Sequence, residues 1–256
     1  MATVIAFANQ KGGVGKTTLT TQFAYYLKLR KGKRVLVIDM DAQASATQTL
    51  TEGGEQEGTR SDSLFDKTLK TLDIQETPHG IDLIGSRADA DAYDVDALPL
   101  ERSLNPRKHV KEIADDYDYI LIDCPPSLGR RLVAALIMTD YVISPIKLSG
   151  FAVTGLVSLG QTIEDIRQQL NRRMKFLGVA INEFVDNGPQ RSALAAVREQ
   201  VPGLLFKTII KFRAPIDQAS DGMPVSSARN GLRAAKELGD LFEEILARIK
   251  KDQKGE

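Results

Sequence analysis

Short apolar runs alternate with amphipathic stretches along most of the chain. The runs at residues 3–9, 34–39, 117–123, 140–146 and 175–182 have the length and β-branched content of buried strands. Apolar residues at helical spacing occupy 17–30, 103–115, 130–139, 151–170 and 189–200. Strands that alternate with helices predict an α/β fold, with a mostly parallel twisted sheet covered by helices on both faces. The carboxyl ends of such strands share one edge, where ligands bind.

A last helix is predicted from about Ser227 to Lys250, with an apolar stripe that faces the core. The tail "KKDQKGE" that follows has no apolar face, and we expect it to be frayed. The 256 residues, 42% of them hydrophobic, suit a single domain spanning 1–256. No apolar run approaches the roughly 20 residues that span a bilayer. The short, strand-like N-terminus predicts no signal peptide.

Charge is balanced overall, with 34 basic and 34 acidic residues, so the whole chain does not indicate a nucleic-acid or membrane partner. Its distribution is uneven. Residues 51–102 hold 13 acidic and 5 basic residues, whereas residues 167–213 hold 9 basic and 3 acidic residues. A basic face is therefore compatible with a neutral protein, although ordinary solvated surface explains the same counts. The single cysteine, Cys124, excludes an intrachain disulfide framework and fits a cytoplasmic location.

The stretch "NQKGGVGKTT" (residues 9–18) joins the first strand to the first helix, which is the context of a phosphate-binding loop. Glycines let backbone N–H groups approach phosphate oxygens, and the helix N-terminus adds its positive dipole end. The Lys16 ammonium is expected to reach the β- and γ-phosphates, the Thr17 hydroxyl to ligate Mg²⁺, and Thr18 to hold the α-phosphate. The predicted nucleotide-binding residues are Lys11, Gly12, Gly13, Val14, Gly15, Lys16, Thr17 and Thr18.

Three acids follow buried strands. Asp39 and Asp41 come after the second strand, in "VIDMDAQ", and Asp123 ends "YILID". Side chains two residues apart share a side of a strand, so both Asp39 and Asp41 can point at the phosphate edge. One carboxylate would support Mg²⁺ and the other would orient the attacking water. The alternative is that these acids cap the following helix. Asp123 is the expected outer partner of Mg²⁺.

Together "KGGVGKTT", "VLVIDMDAQ" and "YDYILIDCPPSLG" resemble the ParA/MinD family of deviant Walker P-loop ATPases, most of all the short ParA partition ATPases. The resemblance covers nearly the whole chain and includes "GVAIN" and, more loosely, "APIDQASDGMPV" (214–225). The sequence departs from the family pattern at "DAQ" (41–43), "RRLVAAL" (130–136) and "IIKFRAP" (209–215). The last departure affects the region where the family contacts adenine and DNA.

The resemblance implies a P-loop NTPase fold, ATP and Mg²⁺ as ligands, and a homodimer in the ATP state. It makes Lys11 the lysine that reaches the phosphates of the partner subunit in a nucleotide-sandwich dimer. Asp41 corresponds to the acid that orients the attacking water, so Lys11, Lys16 and Asp41 form the expected catalytic set. Thr17, Asp39 and Asp123 would support the metal, and Asn182 would lie near the adenine.

Several branches of the family share this site. A single cysteine excludes the iron proteins, which need paired cysteines for a cluster. A chain that begins with the first strand predicts no N-terminal helix-turn-helix domain. The polar tail argues against the membrane helix of MinD-like regulators, so no stable membrane association is expected. A MinD-like spatial regulator and a ParA-like positioning ATPase for a non-DNA cargo remain alternatives.

The short ParA branch binds DNA non-specifically as an ATP dimer and is released when a ParB-like centromere-binding adaptor stimulates hydrolysis. The resemblance therefore predicts a cytoplasmic, nucleoid-associated protein that segregates plasmid or chromosomal DNA. Phosphate contacts need only clustered Lys and Arg. Arg191 and Arg213 lie near family positions that contribute DNA-binding arginines, and each is equally compatible with a solvated surface role.

Overall fold

The computed structural model describes residues 1–87, 94–149, 152–218 and 222–255. Its strands are β1 (Thr3–Phe7), β2 (Val35–Asp39), β3 (Gln75–Glu76), β4 (Asp82–Ile84), β5 (Tyr119–Asp123), β6 (Tyr141–Ile146) and β7 (Lys175–Ile181). They form one sheet in the order β3-β4-β2-β5-β1-β6-β7, in which only the β3–β4 pair is antiparallel. The predicted mostly parallel α/β sheet is confirmed.

The helices are α1 (Lys16–Tyr25), α2 (Ser45–Leu50), α3 (Asn105–Ile113), α4 (Arg130–Met138), α5 (Ala152–Gln169), α6 (Gly188–Gln200), α7 (Ala214–Gln218) and α8 (Leu232–Gln253). A π-helical turn, Tyr26–Arg30, extends α1. Across the residues that the structure describes, no helix is both long and apolar enough to cross a membrane.

Apolar side chains fill both faces of the sheet because side chains alternate along each strand. In β1, Val4 and Ala6 join a cluster that includes residues of α3, α4 and α5. Their neighbours Ile5 and Phe7 join a second cluster that includes residues of α1 and α8. The sheet is thus the middle of three layers, and its strand ends are held rigidly from both sides.

Register brings the chemistry to one edge of the sheet. Phe7 at the end of β1 lies opposite Asp123 at the end of β5, and Asp123 lies opposite Asp39 at the end of β2. The loop that follows β1 opens α1 at the same edge. The strand ends therefore meet as the sequence predicted, with two carboxylates in direct register.

Some local elements differ from the sequence prediction. The sequence did not indicate β3, β4 or α2, which are short and carry little apolar periodicity. The last helix begins at Leu232 and continues to Gln253, so part of the expected frayed tail is ordered. Asp252 fixes it by accepting hydrogen bonds from the Tyr141 hydroxyl (2.8 Å) and the Lys175 ammonium (2.5 Å). Within 214–225, residues 219–221 lie outside the described residues.

The strand-like segment 205–211 makes only isolated bridges to the sheet region. Phe206 N and Ile210 N donate to carbonyl oxygens of Val179 and Ile181 in β7. Between them, Lys207 N and Thr208 N donate to the Glu244 carboxylate of α8. The Glu244 carboxylate thus accepts backbone N–H groups in the middle of the segment, and the segment does not form a continuous strand against β7.

Arg248 of α8 ties this segment to the sheet. Its guanidinium donates to the carbonyl oxygens of Leu177 (3.1 Å), Leu204 (3.0 Å) and Leu205 (2.6 Å). The same group stacks over the Phe206 ring, 4.1 Å from its centroid. Planar geometry and five donors make arginine suited to such a junction.

We expect Arg248→Met to lower the free energy of unfolding by about 2–4 kcal/mol, because partly buried carbonyl oxygens lose their charged donor. Urea denaturation measures this value. Lys250→Met, an exposed substitution on the same helix, is the control and should change stability by less than about 0.5 kcal/mol. Equal effects of the two substitutions would show that Arg248 is not a structural junction.

Candidate functional site

The loop after β1 forms an open cradle at the start of α1. Gly15 is the N-cap of α1 and has φ 93°, a left-handed conformation that favours glycine. A Cβ atom on Gly15 would lie 2.1 Å from Nδ2 of Asn182, so contact as well as conformation requires glycine here. A Cβ on Gly12 or Gly13 would meet nothing within 4 Å. The outer face of the loop is therefore open to a ligand.

Asn182 fixes the back of the cradle from the end of β7. It is buried, and its Nδ2 donates to the carbonyl oxygen of Val14 (3.0 Å). Its Oδ1 is buried and has no hydrogen-bond partner among the described residues. The structure thus places Asn182 beside the loop, where it supports the backbone of Val14.

Two lysines lie at the cradle in different environments. Lys16 is buried, and its Nζ donates to the backbone oxygen of Lys11 (3.2 Å). Lys11 is exposed, and its Nζ donates to Oγ of Ser149 (3.2 Å), after β6. Its backbone N–H donates to Oδ1 of Asn9 (2.8 Å), which holds the entry of the loop. Lys16 therefore belongs to the cradle, while the Lys11 ammonium is free to reach outward.

Asp123 is fully buried at the end of β5. Its Oδ2 accepts a hydrogen bond from the Thr17 hydroxyl (2.6 Å). Its Oδ1 is buried without a hydrogen-bond partner in the described part of the chain. Burial raises the pKa of the Asp123 carboxyl well above its usual range, the charge of Asp39 adds to this, and Thr17 and Lys16 oppose it. A buried carboxylate with a free oxygen is a position that a cation would stabilise.

Asp39 is held by hydrogen bonds within the protein. Its Oδ2 accepts from both the backbone N–H (2.9 Å) and the hydroxyl (2.8 Å) of Thr47, in the first turn of α2. Its Oδ1 accepts from the backbone N–H of Asp41 (3.1 Å). Both oxygens of Asp39 are occupied by protein donors, and the side chain is fully buried. Asp123 is equally buried, but its Oδ1 has no donor among the described residues. The contact with the first turn of α2 is of the kind that the capping alternative predicts, and support of the metal by Asp39 stays a prediction.

The electrostatic state of Asp39 follows from the same burial. Desolvation raises the pKa of its carboxyl to about 6, although the Thr47 and Asp41 hydrogen bonds oppose the shift. The nearby charge of Asp41 adds to the increase. Asp39 and Asp123 are both buried and lie in direct register, so the ionised form of one destabilises the ionised form of the other near neutral pH.

A cleft of about 540 Å³ opens in front of the cradle. Asp41 lines it, and Oδ1 of Asp41 accepts from the backbone N–H of Gln43 (3.0 Å). The sequence pattern did not predict α2, which forms one wall of this cleft, or the contribution of Glu183, which follows Asn182. Glu183 has φ 53° and pairs with Lys147 at 2.5 Å. The lining residues outside the loop are Thr21, Asp41, Gln43, Ser45, Gln48, Thr49, Pro126 and Glu183.

The two arginines predicted to bind DNA lie away from this lining and are both ion-paired. Arg191 of α6 is exposed and contacts Asp186 at 2.6 Å. Arg213 is partly buried and donates through Nε (3.0 Å) and a second nitrogen to Glu237 of α8. Lys211, two residues before Arg213, donates its backbone N–H to the same Glu237 carboxylate (3.4 Å). Both arginines are therefore partly neutralised by neighbouring acids.

The buried carboxyls predict a pH effect on the protein without ligands. A carboxyl whose pKa is raised on folding stabilises the fold at low pH, and this contribution is lost as pH rises through the folded-state pKa. The free energy of unfolding should therefore decrease between about pH 4 and pH 7. Asp123→Asn should reduce this slope and increase stability at pH 8 by about 1–3 kcal/mol.

Urea denaturation at several pH values, without nucleotide or magnesium, measures both effects. Asp165→Asn, at an exposed position on α5, is the matched control and should follow the wild-type slope. An Asp123→Asn protein that is no more stable than the wild type at pH 8 would contradict the account of buried charge.

The comparisons agree with this geometry. Residues 2–176 match a family model described as an AAA domain. The chromosome-partitioning ATPase Soj of Treponema pallidum (strain Nichols) is 33% identical to this chain, covering 97% of it and 98% of that protein. A putative plasmid partition protein from Borrelia burgdorferi B31, solved with bound AMPPNP, is 26% identical with a TM-score of 0.78 over 96% of this chain and 99% of that one.

A third comparison concerns the fold alone. Cobyrinic acid a,c-diamide synthase from Mycobacterium smegmatis, solved with an ATP analog and magnesium, is 24% identical, with a TM-score of 0.81 over 100% of this chain and 98% of that one. The cradle, the strand-end acids and the full-length similarity to Soj lead to one conclusion. The chain belongs to the ParA/MinD family of P-loop ATPases.

Proposed function

We propose that this protein is a partition ATPase that binds ATP and Mg²⁺ in the cleft in front of the glycine loop. The observation that carries the proposal is the cradle itself: open glycines, the buried Lys16 and the Thr17–Asp123 hydrogen bond at one helix N-terminus. Backbone N–H groups and the dipole of α1 favour phosphate at this position. The relatives named as partition proteins support the biological role.

The residues present fit a magnesium ion held jointly with phosphates. No group of three or more His, Cys, Asp or Glu side chains among the described residues could hold a metal alone. Magnesium is commonly held by one or two carboxylates, waters and substrate phosphates. Thr17 and Asp123, whose Oδ1 is free, would hold it here, while Asp39 would position α2 from behind. When bound, the ion neutralises charge on the β- and γ-phosphates.

The chain's own residues would then divide the work. Lys16 supplies positive charge inside the cradle, and Thr18, which lines the cleft, would hold the α-phosphate. Asp41, on the opposite wall, would orient the attacking water through its carboxylate. Asn182 keeps the loop backbone in place through Val14 and, as the family resemblance implies, would lie near the adenine. Phosphoryl transfer depends mainly on such positioning and charge neutralisation.

Lys11 would complete the site across a homodimer. Its ammonium is exposed at the mouth of the cradle, and its one partner in the described part of the chain is the Ser149 hydroxyl. Moving it from Ser149 to phosphates of the partner subunit breaks no ion pair among the described residues. ATP would therefore favour the dimer, and hydrolysis would release it. Because ATP binding and dimer formation would be thermodynamically linked, each would stabilise the other.

The ATP dimer would bind DNA without sequence preference, and a ParB-like adaptor would stimulate hydrolysis and release. Such a cycle makes the protein cytoplasmic and nucleoid-associated in the ATP state. Arg191, Lys211 and Arg213 are the basic residues that support a DNA contact through phosphates. Dimer formation would double that surface.

Three variants separate the steps of the cycle. Lys16→Ala should lose ATP binding because the buried ammonium is removed. Lys11→Ala should bind ATP normally but fail to dimerise, and Asp41→Ala should bind and dimerise but hydrolyse at least about 100-fold more slowly. Equilibrium nucleotide binding, light scattering and phosphate release measure the three steps.

Lys147→Ala is a matched lysine variant near the cleft and should still form the ATP dimer. A stable ATP dimer of Lys11→Ala would remove the trans role of that lysine. Normal hydrolysis by Asp41→Ala would assign water orientation to another residue.

DNA retention should require ATP and Mg²⁺ and should be absent with ADP. Arg191→Ala and Arg213→Ala should each weaken DNA binding, and the loss should be the same for every DNA sequence. The slope of log K against log[salt] should also become shallower, by about one unit for each phosphate contact removed. Arg167→Ala, an exposed arginine paired with Glu164 on α5, is the control. Equal DNA binding in all nucleotide states would disprove the switch.

The ATPase rate measured with DNA, with the adaptor and with both tests the release step. Strong stimulation only when both are present is expected. Stimulation by anionic lipid vesicles in place of DNA would instead favour a membrane-associated regulator.

A further inference from the structure

A second cleft, of about 440 Å³, lies between α8 and the C-terminal end of α1. Its lining shares no residue with the cleft in front of the glycine loop. The first turns of α1 line the nucleotide cleft, whereas Gln22, Tyr25 and Tyr26 line this one. Its volume falls within the range of small-molecule sites.

The interior of this cleft is aromatic and aliphatic. Tyr25, Tyr26 and Phe242 line it, and the Tyr26 and Phe242 rings are 5.4 Å apart. Two leucines on opposite walls are exposed to an unusual degree, Leu29 at 52% and Leu232 at 76%. Apolar side chains that are exposed singly are common on smooth protein surfaces. Apolar side chains that together line a concavity are instead characteristic of a binding site.

Gly239 indicates that the space is kept open. It lies in the middle of α8, where glycine weakens a helix because it loses more backbone freedom on folding than alanine does. A Cβ atom at this position would meet only Tyr26, at 3.7 Å, which is ordinary contact. The protein's own packing therefore does not require glycine here. A larger side chain would fill the cleft from its α8 wall.

One wall is fixed by a specific pair of hydrogen bonds. The Gln22 side chain donates to the backbone oxygen of Met223 (3.1 Å) and accepts from the backbone N–H of Val225 (2.7 Å). The segment that carries Pro224 and Val225 is thereby held against α1. The cleft is a preformed feature of the fold.

Charge at the rim favours an anion. Lys31 is paired with Glu243 at 2.5 Å, so these two charges neutralise each other. Arg30 and Lys236 also line the cleft and make no ion pair with other described residues, and Asp240 is the remaining acid of the lining. One positive charge is left in excess beside an apolar interior.

We propose that this cleft binds a small amphipathic anion: an apolar body about the size of two linked aromatic rings that carries one anionic group. The rings would lie against Tyr26 and Phe242 over Gly239. The anionic group would lie at the rim, near Arg30 and Lys236. This site is separate from the phosphate site and does not depend on the proposed partition function.

The test uses 8-anilinonaphthalene-1-sulfonate, whose fluorescence increases on apolar binding, and its uncharged analogue N-phenyl-1-naphthylamine. Titrations contain excess ADP and Mg²⁺ to cover the nucleotide cleft. We expect one saturable sulfonate site per chain. Gly239→Leu should weaken binding at least about tenfold by filling the cleft, whereas Gly160→Leu, at an open helical position on α5, should not.

A second variant keeps the test independent of folding. The double substitution Arg30→Gln with Lys236→Gln should weaken the sulfonate at least about threefold and leave the neutral analogue unchanged. The proposal is overturned if no saturable binding is found, or if ADP and Mg²⁺ displace the sulfonate. Equal binding by wild type and a Gly239→Leu protein that unfolds cooperatively would also overturn it.

Discussion

Two carboxyls, Asp39 and Asp123, end neighbouring strands in direct register and are fully buried. The sheet forces them together, and burial raises the pKa of each. The surrounding structure answers this constraint differently for each acid. Thr47 and Asp41 satisfy Asp39 with three hydrogen bonds, whereas among the described residues Asp123 has a single donor, Thr17, and a free oxygen. Asp123 is therefore the acid that we propose to support a cation.

This asymmetry explains how the cleft is built. Asp39 anchors α2 by its first turn, and α2 in turn supplies a wall that carries Ser45, Gln48 and Thr49. Asp123 orients the Thr17 hydroxyl at the mouth of α1. Removing either acid would affect a different part of the site. The proposed metal-supporting role of Asp123 and the contact of Asp39 with α2 are therefore separated by one strand spacing.

The helix α1 connects two regions of different chemistry. Its N-terminus offers backbone N–H groups and Lys16 to an anion, while its C-terminal end lines an apolar cleft with α8. The helix dipole favours phosphate at the N-terminus, whereas the proposed amphipathic anion would rely on the apolar surface of the second cleft and on Arg30 and Lys236 at its rim. The long α8, secured by Arg248 and Asp252, is the common scaffold behind the second cleft.

The sequence by itself determined the alternation of strands and helices, the glycine loop with Lys16, and the acids that follow the strands. These features are local, since they depend on periodicity, on the backbone freedom of glycine and on order along the chain. Only the tertiary structure decided that Asp39 faces α2, that Glu244 interrupts the segment 205–211, and that Arg191 and Arg213 are paired with acids. Such partners lie far away in sequence or depend on side-chain direction. Burial and hydrogen-bond geometry, which no pattern of residue types encodes, select among the roles that one carboxylate or one arginine could play.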